Sequence, residues 1–188
     1  MGVNRRMSPS EYGTHIGPLA TAVMNTTGPV FEMGCGDFST PLLHAICKVQ
    51  GRELLSAETD KDWLREFEDL ECDWHKMVYV PVYQQEGVIN DRAWDKVGNQ
   101  NWGVVLIDHR PGERRAVDLM RFRLMAECLV VHDTEHPGYK YEDVFRCYKY
   151  RYDERRYNVW TTIVSNKHDV AQWFKRQSKK IERLDAPA

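Results

Sequence analysis

The sequence lacks the features that mark several classes of protein. It has no apolar run near the roughly 20 residues of a membrane span, and residues 1–11 lack the apolar core of a signal peptide. Its five cysteines are odd in number and form no C-x-x-C pair, so neither a disulfide framework nor a cysteine zinc site is indicated. We therefore expect a cytoplasmic protein with free thiols and no membrane contact.

An excess of charge of either sign is also absent. The chain of 188 residues has 26 Lys and Arg against 28 Asp and Glu, a net charge of -2. Such a balance gives no general attraction to nucleic acid, so a nucleic-acid partner is disfavoured. The length suits one domain with a substantial core. We expect residues 1–188 to form that domain, with an N-terminal segment over 1–28 that includes a helix at 15–25.

Strands and helices alternate along the chain. The predicted strands are 30–33, 53–57, 77–82, 103–107, 128–131, 145–152 and 159–165. Helices are expected from Thr40, from Asp60 with Trp63, Phe67 and Leu70 buried, over 113–125 with Val117, Met120 and Leu124 buried, and from Asp169 with Ile181 facing inward. This alternation predicts an α/β fold with a doubly wound, mostly parallel seven-stranded sheet, a C-terminal antiparallel hairpin and helices on both faces. The polar stretch 83–101 is too long for an ordinary connection and predicts a lid or substrate loop, with a short helix near Trp94.

The most informative motif follows the first predicted strand. Gly34-Cys35-Gly36 comes directly after apolar residues, and Ser39-Thr40-Pro41 then opens a helix. The two glycines let the backbone turn sharply and approach a ligand closely. With Thr40 as N-cap and Pro41 in the first turn, the helix points free N–H groups at the same place. The motif predicts a cradle for a nucleotide-like ligand.

A missing glycine separates two classes of ligand. A dinucleotide fingerprint needs a third glycine at the position of Ser39. Glu32, two residues before Gly34, is a liability beside a pyrophosphate but suits a ligand with an ammonium group. Glu58, after the second strand, is placed to accept ribose hydroxyls in either class. Glu32 and Ser39 therefore favour S-adenosylmethionine over NAD.

These motifs resemble the class I S-adenosylmethionine-dependent methyltransferases. The matching segments are Glu32-x-Gly34-x-Gly36-x-x-Ser39, Ser56-Ala57-Glu58-Thr59-Asp60, Asp108-His109-Arg110-Pro111-Gly112 and His132-Asp133-Thr134. The resemblance implies a cofactor site in which the glycine turn passes beneath the methionine part, Glu32 lies near its amino group and Glu58 holds the ribose. The cofactor-binding residues it implies are Glu32, Gly34, Cys35, Gly36, Ser39, Glu58, Thr59 and Asp108.

The same resemblance suggests residues for catalysis. Asp108, His109 and His132 are candidate catalytic residues, since a neutral imidazole near pH 7 can take a proton from a hydroxyl. Catechol-type O-methyltransferases bind magnesium at equivalent positions, and Asp108 with Asp133 are candidate ligands for Mg²⁺ here. Thr134 and Pro111 depart from the catechol pattern. Tyr12 and His15 precede the first strand, where this family folds a segment over the cofactor.

The acceptor is less defined by the sequence. We expect S-adenosylmethionine-dependent methylation of a small molecule, at oxygen, by in-line displacement, and Arg110 and Arg114 favour an anionic acceptor. Two alternatives stay open: a non-catalytic S-adenosylmethionine- or nucleotide-binding module, and an NAD-dependent oxidoreductase. The basic and tyrosine-rich stretch 145–157 is predicted to be a hairpin with one solvated face, and a homo-oligomer is compatible with the sequence.

Overall fold

A computed structural model describes residues 12–85 and 87–175. The strands are β1 (Val30–Met33), β2 (Leu54–Glu58), β3 (His75–Tyr79), β4 (Tyr83–Gln85), β5 (Val88–Asn90), β6 (Trp102–Ile107), β7 (Ala126–His132), β8 (Tyr150–Glu154) and β9 (Thr161–Ser165). The α-helices are α1 (Ile16–Met24), α2 (Ser39–Gln50), α3 (Lys61–Arg65), α4 (Arg115–Arg121) and α5 (Tyr141–Phe145), and residues 170–175 are helical. In this part of the chain no helix is long and apolar enough to cross a membrane.

Seven of the strands form one sheet in the order β3-β2-β1-β6-β7-β9-β8. β1 pairs in parallel with both β2 and β6, while β9 is antiparallel to β7 and to β8. The predicted fold class is therefore confirmed. The strand order reverses between β1 and β6, and in such sheets ligands bind outside the carboxyl ends of the strands at this point.

The core has two layers, one on each face of the sheet. On one face Phe31 and Ile107 pack with Trp94, which belongs to the predicted loop, and with Phe122. On the other face Val30, Val104 and Leu106 pack against Leu19 of α1 and Leu43 of α2. β1 and β6 are buried along their whole length, as expected for central parallel strands. They hold the two loops of the site rigidly side by side.

The helix predicted at 113–125 differs from the structure in its buried face. Val117, Met120 and Leu124 are 55%, 42% and 71% exposed, so the prediction that they are buried is wrong. The buried positions of α4 are instead Arg115, Asp118 and Leu119. Ion pairs satisfy the charged groups in the interior, so apolar periodicity points to the wrong side of this helix.

Other boundaries also differ. Helix α2 begins at Ser39, not at Thr40, and the Thr40 hydroxyl, predicted to cap this helix, instead bonds to Glu32. Asp60 caps α3 as predicted, but this helix is a single short turn, and Trp63 is 37% exposed. The first half of predicted strand 145–152 is occupied by the end of α5 and a turn.

The long loop is more ordered than predicted. It contains the β4–β5 hairpin and a 3-10 turn, Arg92–Lys96, which agrees with the short helix expected near Trp94. The Trp94 side chain is fully buried, so the second half of 83–101 is anchored to the core. Ile181 and residues 1–11 of the N-terminal segment lie outside the described residues.

Candidate functional site

The glycine turn after β1 is shaped by its contact with the end of β6. Gly34 has φ +94°, and a Cβ at this position would lie 2.6 Å from the carbonyl oxygen of Asp108 and 3.0 Å from the His109 Cα. The Gly34 N–H donates to the carbonyl of Ala57 in β2. Only glycine satisfies both the positive φ and this close approach. The turn is thereby fixed between the ends of the two neighbouring strands.

Glu58 ends β2 beside the turn. Its Oε2 accepts a hydrogen bond from the Cys35 N–H at 3.0 Å, and its Oε1 accepts from the N–H groups of Thr59 and Asp60 at 2.6 and 2.9 Å. The Thr59 hydroxyl donates to the same oxygen. These donors hold the carboxylate at the carboxyl edge of the sheet, the place predicted for a ribose-binding acid.

Cys35 and Ser39 are structural parts of the turn. Cys35 is buried, and its carbonyl accepts a hydrogen bond from the Trp63 indole at 2.8 Å. Burial raises the pKa of the Cys35 thiol, so the group stays protonated and unreactive. Ser39 is buried at the start of α2, with its Oγ 3.3 Å from where a Cβ on Gly36 would lie.

Glu32 lies beneath the turn and has no exposed surface. Its carboxylate accepts hydrogen bonds from the hydroxyls of Ser56 at 2.5 Å and Thr40 at 3.0 Å, and the Thr40 oxygen accepts from the Gly36 N–H. Burial raises the pKa of Glu32 to about 7, although these hydroxyls oppose the shift. Glu32 therefore supports the turn through Thr40, and its place near the amino group of the cofactor stays a prediction.

A chain of polar side chains extends from Glu32 toward the surface. The Ser56 hydroxyl lies 3.0 Å from Nε2 of His75, and Nδ1 of His75 lies 3.0 Å from Nδ1 of His44. His75 is fully buried, and burial lowers its pKa to about 4. Sequence analysis missed this chain, because its members come from β1, β2, β3 and α2 and share no local motif.

Asp108 and His132 form the second polar group at this edge. Nδ1 of His132 lies 3.2 Å from Oδ2 of Asp108, and its Nε2 lies 2.9 Å from the Thr14 hydroxyl. Burial alone would raise the pKa of Asp108, but the hydrogen bond and charge of His132 and the charge of Arg115 outweigh it and lower that pKa. For His132, burial is outweighed by Asp108 and Asp133, which raise its pKa.

Arg115 is a site residue that sequence analysis did not find. Its guanidinium is buried, 3.0 Å from Oδ1 of Asp108 and 2.8 Å from Oδ2 of Asp133, and it also donates to the carbonyls of Asp108 and His109. Asp108 and Asp133 are thus close together, as predicted. However, Arg115 already supplies the positive charge that Mg²⁺ would bring there, so this pair does not fit a magnesium site as it stands.

His109 is directed away from this group. It is buried against Trp94, and its Nε2 lies 3.1 Å from Oδ2 of Asp118 in α4. Burial lowers the pKa of His109, although Asp118 opposes the shift. The structure brings Asp108, His132 and Asp133 together and leaves His109 in the core, so we do not retain it as a candidate base.

A cavity of about 450 Å³ lies beside the segments that follow Glu58 and His109, and its lining includes neither the glycine turn nor the Asp108–His132 pair. It is lined by Thr59, Val82, Gln84, Ile89, Arg110, Pro111, Gly112, Glu113 and Tyr139, which include part of the predicted lid. This volume suits a small molecule. Arg110 faces it, whereas Arg114 is buried and paired with Asp91, Asp95 and Asp118, so Arg114 is not placed to recognise an acceptor.

The basic stretch 145–157 carries internal ion pairs. Arg151 pairs with Glu142 and Asp153, Arg155 with Asp153, and Arg156 with Glu154. Arg146 pairs with Asp143 in the same way, so all four arginines of the stretch lie in ion pairs, which weakens their attraction for a phosphate backbone although Arg155 and Arg156 are exposed. Its strands form the predicted antiparallel hairpin, through β8 and β9.

Comparison with solved structures shows the same architecture. The chain has the fold of the class I S-adenosylmethionine-dependent methyltransferases. One similar structure is the O-methyltransferase TomG from Streptomyces achromogenes, solved with S-adenosylmethionine. The match covers 87% of this chain and 83% of TomG, with a TM-score of 0.55 and 11% identity. A precorrin-6y C5,15-methyltransferase from Geobacter metallireducens is also similar. The match covers 88% of this chain and 93% of that protein, with a TM-score of 0.52 and 11% identity.

A third similar structure belongs to a protein that has also been solved with RNA. The chain matches 80% of the delta-N METTL16 methyltransferase domain over 81% of its length, with a TM-score of 0.53 and 13% identity. Another structure shows the hMettl16 catalytic domain with the MAT2A 3'UTR hairpin 1. No protein-family model and no curated protein matches the sequence. At these identities the comparisons define the fold alone.

Proposed function

We propose that the protein transfers a methyl group from S-adenosylmethionine to a hydroxyl of a small molecule. The observation that carries this proposal is the convergence, at one edge of a class I methyltransferase fold, of the glycine turn, Glu58 and the Asp108–His132 pair. The donor set fits the cofactor, because an acid at the end of β2 can accept the ribose hydroxyls and the glycine turn leaves room for close backbone approach. When bound, the cofactor supplies an activated methyl group on a sulfonium.

The chain's own residues then have two tasks, which are to position the acceptor and to take its proton. The carboxylate of Asp108 is partly exposed, whereas His132 lies behind it and is buried. In the neutral form of His132 that carries its hydrogen on Nε2, beside the Thr14 hydroxyl, Nδ1 is free to accept a proton. An acceptor hydroxyl that bonds to Asp108 would then pass its proton along this carboxylate to Nδ1 of His132, 3.2 Å away. Because neighbouring carboxylates raise the pKa of His132, its imidazole is the better base of the two.

The cavity supports a small acceptor with a negative group. Its volume of about 450 Å³ is within the range of small-molecule sites, and Arg110 lies in its wall. The paired arginines of stretch 145–157 and the net charge of -2 support a small molecule over RNA. No step in this proposal needs Mg²⁺, and the Arg115 guanidinium already lies between Asp108 and Asp133 as their cationic partner.

The first test is calorimetry with S-adenosylmethionine and, separately, with NAD. We expect binding of S-adenosylmethionine only, and binding of NAD alone would overturn the proposal. Glu58→Gln should weaken the binding roughly 10- to 100-fold, as expected for hydrogen bonds to a charged group. Glu53→Gln is the matched control, because Glu53 is exposed and precedes the opposite end of the same strand.

The second test is the formation of S-adenosylhomocysteine with a panel of hydroxylated small molecules, with and without a carboxylate or phosphate. Turnover should favour the anionic members and should persist in EDTA. Binding of S-adenosylmethionine without turnover on any member, or on an RNA hairpin included as a comparison, would favour the non-catalytic binding module.

A further inference from the structure

His15 is a buried imidazole whose ring nitrogens have no hydrogen-bond partner in the part of the chain that the structure describes. It lies just before α1 and is only 3% exposed. Buried polar groups in folded proteins are nearly always paired, because an unpaired one costs about 1–3 kcal/mol. A neutral imidazole carries one lone-pair nitrogen that can bind a metal ion.

The His15 ring lies against the Asp108–His132 pair. The centroids of the His15 and His132 rings are 4.6 Å apart in an edge-to-face arrangement. One ligand atom from each of His15, Asp108 and His132 can be chosen so that all three lie within 4.8 Å of one another. Arg115 approaches Oδ1 of Asp108, which leaves Oδ2 on the side of His132.

We propose that His15, Asp108 and His132 form a binding site for a divalent metal ion of the zinc type. Two imidazoles and one carboxylate suit Zn²⁺, Co²⁺ or Fe²⁺ far better than Mg²⁺, which prefers oxygen ligands. Three protein ligands with further positions left open form the pattern of accessible zinc sites. A contraction of roughly 1.5 Å would bring the ligand atoms to the spacing around a tetrahedral ion with bonds of about 2.0–2.2 Å. The ion would also satisfy the orphaned nitrogen of His15.

The site has a consequence that rests on the proposed function. The metal and the acceptor's proton would use the same side chains, Asp108 and His132. A bound ion would therefore block the proton transfer, so Zn²⁺ should inhibit methyl transfer while EDTA leaves it intact. Metal binding itself does not depend on any methyl transfer, which allows the two proposals to fail separately.

The experiment is calorimetric titration of the full, reduced chain with Zn²⁺ and with Mg²⁺, followed by Co²⁺ absorption spectra. We expect one tight Zn²⁺ site, no comparable Mg²⁺ binding and visible Co²⁺ bands from a low coordination number. His15→Ala and His132→Gln should each weaken Zn²⁺ binding at least about 100-fold. The matched control His168→Ala, which removes another histidine that lies beside a carboxylate, should leave it unchanged.

Two further variants test other metal-binding groups. Cys147 is the exposed thiol among the described cysteines, and His44 forms a pair with His75. Cys147→Ser and His44→Ala should both retain the tight site, and loss of binding in either one would overturn the proposal. So would undiminished Zn²⁺ binding by His15→Ala. Circular dichroism checks folding, and Zn²⁺ should raise the melting temperature of the wild type but not of His15→Ala.

Discussion

Glu32 and Asp108 are carboxylates on neighbouring strands with opposite surroundings. Glu32, within β1, has no exposed surface and accepts its hydrogen bonds from the neutral hydroxyls of Ser56 and Thr40. Asp108, directly after β6, is partly exposed and lies between His132 and Arg115. Burial raises the pKa of Glu32 to about 7, whereas the positive neighbours of Asp108 outweigh its burial and lower its pKa.

This difference separates a supporting acid from a reactive one. Hydroxyls stabilise a buried carboxylate less than a full positive charge does, so Glu32 is partly protonated near neutral pH while Asp108 stays ionised. Only Asp108 combines a negative charge, partial exposure and a base at hydrogen-bond distance, which is the pattern of functional sites. Glu32 acts instead through Thr40 on the shape of the turn.

The largest expected effect comes from removing the cation beside Asp108. Arg115→Leu removes the buried guanidinium and leaves Asp108 and Asp133 with His132 as their remaining partner, and we expect a loss of about 3–5 kcal/mol in the free energy of unfolding. Urea denaturation measures it. Arg65→Leu is the control, because its pair with Asp62 is exposed on both sides and should contribute no more than about 0.5 kcal/mol. Equal losses in the two variants would show that Asp108 does not depend on Arg115.

The contact between the two strand ends gives the next largest effect. Gly34→Ala forces a side chain to φ +94° and toward the Asp108 carbonyl, and we expect a loss of about 2–4 kcal/mol. Gly51 also has a positive φ, +64°, but a Cβ there would meet open space. Gly51→Ala is therefore the control, and it should lower the free energy of unfolding by about 1–2 kcal/mol. If thermal denaturation gives the same loss for both variants, the close packing of the turn on β6 is not important for stability.

The sequence predicts the apolar strands and the glycine turn well, and the buried charged and polar groups poorly. The apolar runs and the glycine motif were enough to predict β1, the turn, Glu58 at its edge and the meeting of Asp108 with Asp133. They did not predict Arg115 or His75, because a buried charge is identified by its partners and those partners are distant in sequence. For the same reason the prediction placed the buried face of α4 on the wrong side, because ion pairs replace apolar contacts there.

The pH dependence of stability tests the state of Glu32. Its pKa rises from an ordinary 4.5 to about 7 on folding, so the folded state holds more protons between these pH values and stability falls as pH rises through that window. The full difference corresponds to roughly 3 kcal/mol. Glu32→Gln should therefore become more stable relative to wild type by about 1–3 kcal/mol between pH 4.5 and 8. Urea titrations at both pH values measure the change, and a constant difference would show that Glu32 is ionised throughout.

The smallest effect comes from one hydroxyl beside Glu32. Ser56→Ala removes a hydrogen bond of 2.5 Å to the carboxylate, and we expect a loss of about 1 kcal/mol at pH 5. Because this hydroxyl favours the ionised form, its removal should also shift the pH-dependent fall in stability to higher pH. Ser165→Ala is the control, since that buried hydroxyl donates to the backbone carbonyl of Glu127 and should change stability without moving the pH dependence. An unshifted profile in Ser56→Ala would mean that Thr40 and the turn, not Ser56, set the protonation of Glu32.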